Sequence, residues 1–296
     1  MQRTASPCGE ASGLPYDRAM SEPPTNNTPG ISSGHSNDPP DLLDLYRLAV
    51  QHPLAEVAFI ERCWAHHHGE SSEPMLLRED FAGTCAVAAA WCASDPGRQA
   101  MAVEIDGPTA AWAAERFDDP DLHIVVEDVV AVDGPAVDVA VALNFSVLIY
   151  HEREGLLGYL RNALRGLNPG GLLLLDLFGG RTTVNPRMQG RRVEPDEGGV
   201  EPFDYLWDQG AVNIKTQRIG CRIHFVLGDG RRLEDAFVYD WRLWRPGEVV
   251  ELAREAGFAE ASLWADRPGS PGRYEPVGGE PAAAEWVGYV VCRAPG

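Results

Sequence analysis

The run Leu76-Leu77-Arg78-Glu79-Asp80-Phe81-Ala82-Gly83-Thr84-Cys85 decides how this chain is read. Two leucines lead into an acidic pair, a tight Ala-Gly-Thr turn follows, and the alanine-rich residues 86–90 come next. That is the outline of a strand, a loop of close backbone approach and a helix start. In an open α/β sheet, a nucleotide-like ligand sits at such a place against backbone N–H groups.

Working outward, apolar runs at 75–78, 100–105, 122–126, 137–144 and 172–177 read as strands. Helical patterns at 84–94, 108–117 and 153–167 alternate with them. The last carries Leu156, Leu157, Leu160, Leu164 and Leu167 on one face and stops at Asn168-Pro169-Gly170-Gly171. Strands that are apolar throughout and alternate with helices imply a parallel sheet covered on both faces. Two further strands, near 261–265 and 286–292, complete a doubly wound, mostly parallel seven-stranded α/β sheet. A helix opened by Pro246 and closed by Gly257 precedes them.

Between the two parts the texture changes. Phe203, Tyr205 and Trp207 alternate, as do Cys221, Ile223 and Phe225, and then Phe237, Tyr239, Trp241 and Leu243. Gly228-Asp229-Gly230 is a hairpin turn between the later runs. A small antiparallel β-sheet is therefore expected as an insertion. Upstream, Asp41 is placed to cap a helix with Leu42, Leu45, Leu48 and Ala49 on one face, and a second helix starts at Pro53. Residues 1–40 are rich in Pro, Ser, Gly, Asn and Thr, and are expected to be a disordered tail. The expected organisation is that tail, a core of N-terminal helices and α/β elements over 41–180, the insert over 181–245, and a closing helix with the last core strands over 246–296.

The 296 residues carry 44 acidic against 25 basic side chains, a net charge of -19, which repels polyanions and argues against a nucleic-acid partner. The densest basic stretch, Arg187, Arg191 and Arg192, lies among Pro and Gly and reads as a solvated loop. Six scattered cysteines without a C-x-x-C pair point to free thiols in a reducing compartment, hence a cytoplasmic location. No apolar run reaches the ~18 residues of a membrane span. His66-His67-His68 diverge on a helix by ~100° each, so no metal site is expected there.

A dinucleotide loop wants glycine at three places so that pyrophosphate can approach. Here Phe81 and Cys85 fill two of them, which disfavours a nicotinamide-dependent oxidoreductase on a similar fold. A ligand with a sugar and a base but no phosphate needs less room. Glu104, about 25 residues past Glu79, lies near the ~20-residue offset of a ribose-binding carboxylate. Asp128 ends the third strand, and Asn144-Phe145-Ser146 the fourth, beside the switch point of such a sheet.

With Ala102-Val103-Glu104-Ile105-Asp106, Glu127-Asp128 and Tyr239-Asp240-Trp241-Arg242-Leu243-Trp244, the chain resembles the class I S-adenosylmethionine-dependent methyltransferases. More narrowly, it resembles a subgroup with an acid-Phe-Cys-Gly-Thr glycine loop. The resemblance spans about residues 41–292. It implies S-adenosyl-L-methionine as cofactor, with Glu79 and the Ala82-Gly83-Thr84 backbone facing its methionine and sugar. It further implies Glu104 on the ribose hydroxyls, Ile105 against the adenine, Asp128 and Val129 at the adenine edge, and Asn144 and Phe145 beside the reactive methyl. Arg78 is a candidate partner for the cofactor carboxylate. Tyr150 and His151 are candidate general bases, although His151 reads more readily as an exposed loop histidine. Tyr205, Trp207, Tyr239 and Trp241 either roof an acceptor pocket or form a plain hydrophobic sheet face. The expected activity is methyl transfer to an N or O atom of a small molecule; a non-catalytic cofactor-binding protein is the other reading.

Overall fold

A computed structural model describes residues 41–195, 199–267 and 270–296; the expected tail 1–40 lies outside them. Two helices open the chain, α1 (Leu42–Val50) and α2 (Pro53–His68). The Asp41 carboxylate accepts from Leu43 N at 2.8 Å, and Pro53 supplies the pre-set φ of a first helical turn. There follow β1 (Leu76–Asp80), α3 (Ala86–Ser94), β2 (Gln99–Glu104), α4 (Gly107–Arg116), β3 (Leu122–Val126), β4 (Val137–Ala142), α5 (Arg153–Arg165) and β5 (Leu167–Gly179). These strands pair in parallel in the order β3-β2-β1-β4-β5, so the order reverses between β1 and β4.

The sheet continues with α6 (Pro246–Ala256), β10 (Glu260–Arg267), β11 (Ser270–Val277) and β12 (Trp286–Arg293), whose strands join in the order β5-β12-β10-β11. All three of these pairings are antiparallel. The seven expected strands are present and β11 adds an eighth, a correction to the count. Its Ser-Pro-Gly-Arg-Tyr-Glu-Pro-Val sequence has neither alternation nor a β-branched run to announce it. It pairs as an edge strand, where prolines are tolerated.

Leucines explain why β5 is central. Leu172, Leu173, Leu174 and Leu175 are all fully buried, because α2 and α3 cover one face and α5 and α6 the other. Asn168-Pro169-Gly170-Gly171, read as a helix stop, lies inside the first half of β5. Gly170, with φ +76°, donates to the Pro295 carbonyl and lets the chain enter the sheet.

The second sheet contains β6 (Arg187–Val193), β7 (Phe203–Gln209), β8 (Arg218–Val226) and β9 (Arg232–Arg242), all antiparallel in that order. Its inner face carries Phe203, Tyr205, Trp207, Cys221, Ile223, Phe225 and Trp241, which join the α5/α6 core and α1 through Leu45 and Ala49. The stretch around Arg187, Arg191 and Arg192 is thus a strand and not a solvated loop. Arg187, Gln189 and Arg191 alternate inward, and Met188 is exposed. Cross-strand partners, Trp207 for Gln189 and Tyr205 for Arg191, override the weak local propensity.

Among the described residues no helix is long and apolar enough to cross a membrane. Cys63, Cys85, Cys92, Cys221 and Cys292 are free and buried.

Candidate functional site

The loop after β1 is built on unusual backbone. Phe81, Gly83 and Cys85 all have positive φ, at 56°, 52° and 59°. Two of the three are side-chain-bearing residues in the left-handed region, each at a cost of roughly 1–2 kcal/mol. Their surroundings hold them there. Ala82 N donates to Val103 O and Cys85 N to Ala82 O, while Phe81 packs on Tyr159 with ring centroids 5.5 Å apart. The Thr84 hydroxyl donates to Gln51 at the end of α1, which fastens the N-terminal helices to the loop.

Period-two alternation separates the charged residues of β1. Glu79 faces α3, where its Oε2 accepts from Ala88 N at 2.8 Å. Arg78 and Asp80 face α5. Arg78 Nη2 donates to Asp80 Oδ2 at 3.0 Å, Arg78 Nε lies 2.9 Å from Oδ1, and Tyr159 Oη donates to Oδ2 at 2.9 Å. Arg78 is 3% exposed and its guanidinium lies against the Cα of Gly166. The candidate cofactor partner is thus engaged with Asp80 on the α5 side of the sheet.

Burial raises the Glu79 carboxyl to about 8, opposed by the Ala88 hydrogen bond. An acid raised in the folded protein holds more protons there than when unfolded, so folding weakens as pH rises from the ordinary carboxyl range toward 8. Glu79→Gln keeps an acceptor for Ala88 N and removes that ionisation. It is expected to melt higher than the parent at pH 8–9, by ~2–4 °C per kcal/mol recovered, with the difference vanishing near pH 5. Calorimetric melts across that range check it.

Glu104, at the end of β2, bridges two backbone donors: Oε2 accepts from Gly83 N at 2.8 Å and Oε1 from Asp106 N at 2.8 Å. Next to it Ile105 is 68% exposed, an apolar side chain left largely open to solvent. Asp128 follows β3; its Oδ1 accepts from Val130 N at 3.0 Å, and its charge acts on the Tyr150 hydroxyl. Val129 does not present its side chain, which is buried in the core; its carbonyl accepts from Asn162 Nδ2 at 2.6 Å. Glu79, Gly83, Glu104, Ile105 and Asp128 therefore come together along the ends of β1, β2 and β3.

Past β4, Asn144 and Phe145 are both left-handed, with φ 57° and 61°. Phe145 N donates to Asp176 Oδ1 at 2.7 Å, and the Phe145 ring lies 4.8 Å from Phe178 and 6.1 Å from Trp241. These two residues close the floor of a pocket lined also by Tyr46, Ala49 and Val50 of α1, by Phe178, by Arg187 and Arg191 of β6, and by Tyr205, Trp207, Ile223, Tyr239 and Trp241. All four aromatics expected from the insert are in it. Tyr239 and Trp241 stack at 4.3 Å, and Trp207 lies 6.0 Å from Trp241.

Tyr150 and His151 do not reach this pocket. Tyr150 stacks on Tyr159 at 5.8 Å, toward Phe81 and Asp128, and burial raises its hydroxyl out of the range of a base. His151 Nε2 donates to the Asp240 carbonyl at 2.7 Å, and Arg242 Nη1 donates to the His151 carbonyl at 2.9 Å. With Trp244 Nε1 donating to Tyr150 O at 2.9 Å, this segment ties the insert to the core.

Sequence reading missed Tyr46, Ala49, Val50, Phe178, Arg187, Arg191 and Ile223. Tyr46 had a signal: it is the aromatic residue of an otherwise leucine-patterned helix, off the Leu42–Leu45–Ala49 stripe. It is hydrogen-bonded to Tyr239, and burial raises its hydroxyl to about 12. Arg187 pairs with Glu285, and Arg191 donates to Ala49 O while lying 5.4 Å over the Tyr205 ring.

No protein-family model and no curated protein matches the chain. Solved structures do. The amino pentose methyltransferase CalS10 of Micromonospora echinaspora, with its methyl donor bound, superposes with a TM-score of 0.63 over 88% of this chain and 99% of its own, at 16% identity. The sugar N-methyltransferase KedS8 of a Streptoalloteichus species gives 0.64 over 92% and 100%, at 19% identity. The CcbJ methyltransferase of Streptomyces caelestis gives 0.61 over 86% and 96%, at 17% identity. At these identities the likeness establishes a common fold: the α/β sheet with its antiparallel second sheet.

Proposed function

We propose that this chain is an S-adenosyl-L-methionine-dependent methyltransferase that methylates an amine of a small molecule held in the aromatic pocket. The single observation that carries the donor is Glu104: a carboxylate bound to Gly83 N and Asp106 N, with the exposed Ile105 beside it. That set suits a ribose and an apolar base. The turn at Phe81 and Cys85 offers no glycine-lined approach for pyrophosphate. The methyltransferases of the same fold support the reading.

When bound, the donor supplies an electrophilic methyl on a sulfonium. The chain's part is to align the acceptor with it and exclude water, and alignment contributes up to ~7–11 kcal/mol. Asn144 and Phe145 border the methyl. Trp207, Tyr239 and Trp241 clamp the body of the acceptor, and α1 closes the pocket through Tyr46.

Nitrogen is preferred over oxygen because the described pocket lining contains no carboxylate and no imidazole. Burial pushes two of its phenols away from ionisation near neutrality: Tyr46 is raised to about 12 and Tyr239 well above its usual value. A hydroxyl acceptor needs a base, whereas a neutral amine attacks unaided. Arg187 and Arg191 also disfavour the protonated, unreactive form of that amine.

Incubating the protein with methyl-labelled donor and a metabolite extract, followed by mass spectrometry, tests the assignment. The expected product is a labelled amine; a labelled ether or ester overturns the choice of nitrogen. Trp241→Ala is expected to raise the acceptor KM about tenfold or more, the scale of a lost aromatic anchor. Affinity for S-adenosylhomocysteine should hold, because Trp241 lies on the acceptor side.

A further inference from the structure

Asp176 is a carboxylate at this end of the sheet for which the sequence suggested no role. It lies in β5, two residues before Phe178 and therefore on the same face, below the floor of the pocket. It is fully buried, at 0% exposure. One oxygen, Oδ1, accepts from Phe145 N at 2.7 Å; the other, Oδ2, has no hydrogen-bond partner among the described residues. A buried carboxylate oxygen without a donor is costly, and its persistence in a site calls for a ligand group that satisfies it.

The direction it faces is given by its neighbours. Its charge acts on Tyr46 of the pocket and on Glu56 of α2, and Glu56 in turn feels Glu79 of β1. Asp176 pairs across the sheet with Tyr289, whose hydroxyl donates to Glu56 of α2, so Asp176 and Glu79 stand on the α2/α3 face of the two strands that flank β4, the side on which the donor reading places the methionine end. That end carries an ammonium, a donor of three hydrogen bonds and a positive charge. Asp176, by contrast, is held by backbone N–H groups, those of Phe145, Asn144 and Asp176 itself, and among the described residues no cation contributes to its state.

On the reading that S-adenosyl-L-methionine is the donor, we propose that Asp176 Oδ2 binds the donor's α-ammonium while Oδ1 holds Phe145. One carboxylate would then couple occupancy at the methionine end to the left-handed turn that borders the methyl. Asp176 acts here as a binding residue and, through Phe145, as a positioning residue.

Two neutral-sulfur nucleosides separate the roles. S-adenosylhomocysteine keeps the amino acid end, and 5′-methylthioadenosine lacks it. Asp176→Asn retains an oxygen for Phe145 N and turns an amide N–H₂ toward the ammonium. By calorimetry the variant should lose about tenfold or more in affinity for S-adenosylhomocysteine, the scale of a charge-assisted bond, and bind 5′-methylthioadenosine as the parent does. Equal losses for both nucleosides, or no loss for either, overturn the proposal. Absence of binding of both to the parent protein overturns the donor reading and this inference with it.

Should the variant not fold, the parent protein supplies the second measurement. Burial raises the Asp176 carboxyl to about 7, so an ammonium partner must displace a proton from it. Affinity for S-adenosylhomocysteine should rise several-fold from pH 6 to pH 8, and that for 5′-methylthioadenosine should stay level. The groups around Asp176 are Glu56, Tyr46, Tyr274 and Tyr289, with Glu79 beyond Glu56; burial raises all four phenols and acids nearest it, and Glu79 too. The rise must persist in Glu56→Gln and in Glu79→Gln; its disappearance in either assigns the titration elsewhere and overturns the role of Asp176.

Discussion

Glu104→Ala is expected to abolish measurable binding of S-adenosylhomocysteine, with a loss of about 100-fold or more. The proposed contact is a carboxylate accepting from both ribose hydroxyls, and hydrogen bonds to a charged group contribute roughly 1.5–3 kcal/mol each. The same side chain also orients the loop through Gly83 N and the start of α4 through Asp106 N, so its removal loosens the seat as well as the contact. Glu104 is only partly buried at a strand end, so its loss leaves no large cavity and the melting temperature should fall little. Isothermal calorimetry with a parallel thermal melt reads both quantities. Unchanged affinity in a folded variant removes the observation on which the donor assignment stands.

Arg78→Met should destabilise the fold by about 3–5 kcal/mol, because it leaves Asp80 charged, buried and without its cation. Asp80 is 1% exposed and keeps only the Tyr159 hydroxyl as a partner in that variant. Burial already raises the Asp80 carboxyl, and Arg78 opposes it most, with the Tyr159 hydroxyl adding to the effect. Without Arg78 the folded carboxyl rises further above its unfolded value, so the deficit is largest near neutrality and narrows as pH falls and Asp80 takes a proton. Adding Asp80→Leu to Arg78→Met should recover most of the loss, since an uncharged pair leaves no stranded charge. Urea titrations of the three proteins at pH 5 and pH 8 measure this. The folded fraction of Arg78→Met should bind S-adenosylhomocysteine as the parent does, which a role for Arg78 on the donor carboxylate would not allow.

The strand-loop-helix at residues 76–94 was legible because its signals are local: apolar residues, then acids, then a turn, then alanines. Glu104 and Asp128 were legible for a related reason. In a parallel sheet the ends of successive strands converge on one edge, so order along the chain is order in space. Arg78 misled for an equally definite reason. Adjacent residues of a strand face opposite sides, and the sequence does not say which of Arg78 and Glu79 faces the ligand. Tyr150 and His151 follow a strand end, as functional residues do, but contacts with β9 that are distant in sequence turn them away.

What the sequence determined by itself is the alternation of strand and helix, a glycine-poor loop that disfavours a pyrophosphate, and the acids at successive strand ends. Each follows from short-range sterics and from the periodicity of burial. Only the tertiary structure decided which face each charged residue occupies, that α1 and β6 enclose the pocket, and that Asp176 underlies it. Those features arise where segments far apart in the chain meet, and burial there assigns a partner or withholds one. The run that ends in Cys85 remains the centre of the proposed site; the fold supplied the Gln51 anchor on Thr84, the Glu104 bridge to Gly83, and the separation of Glu79 from the Arg78–Asp80 pair.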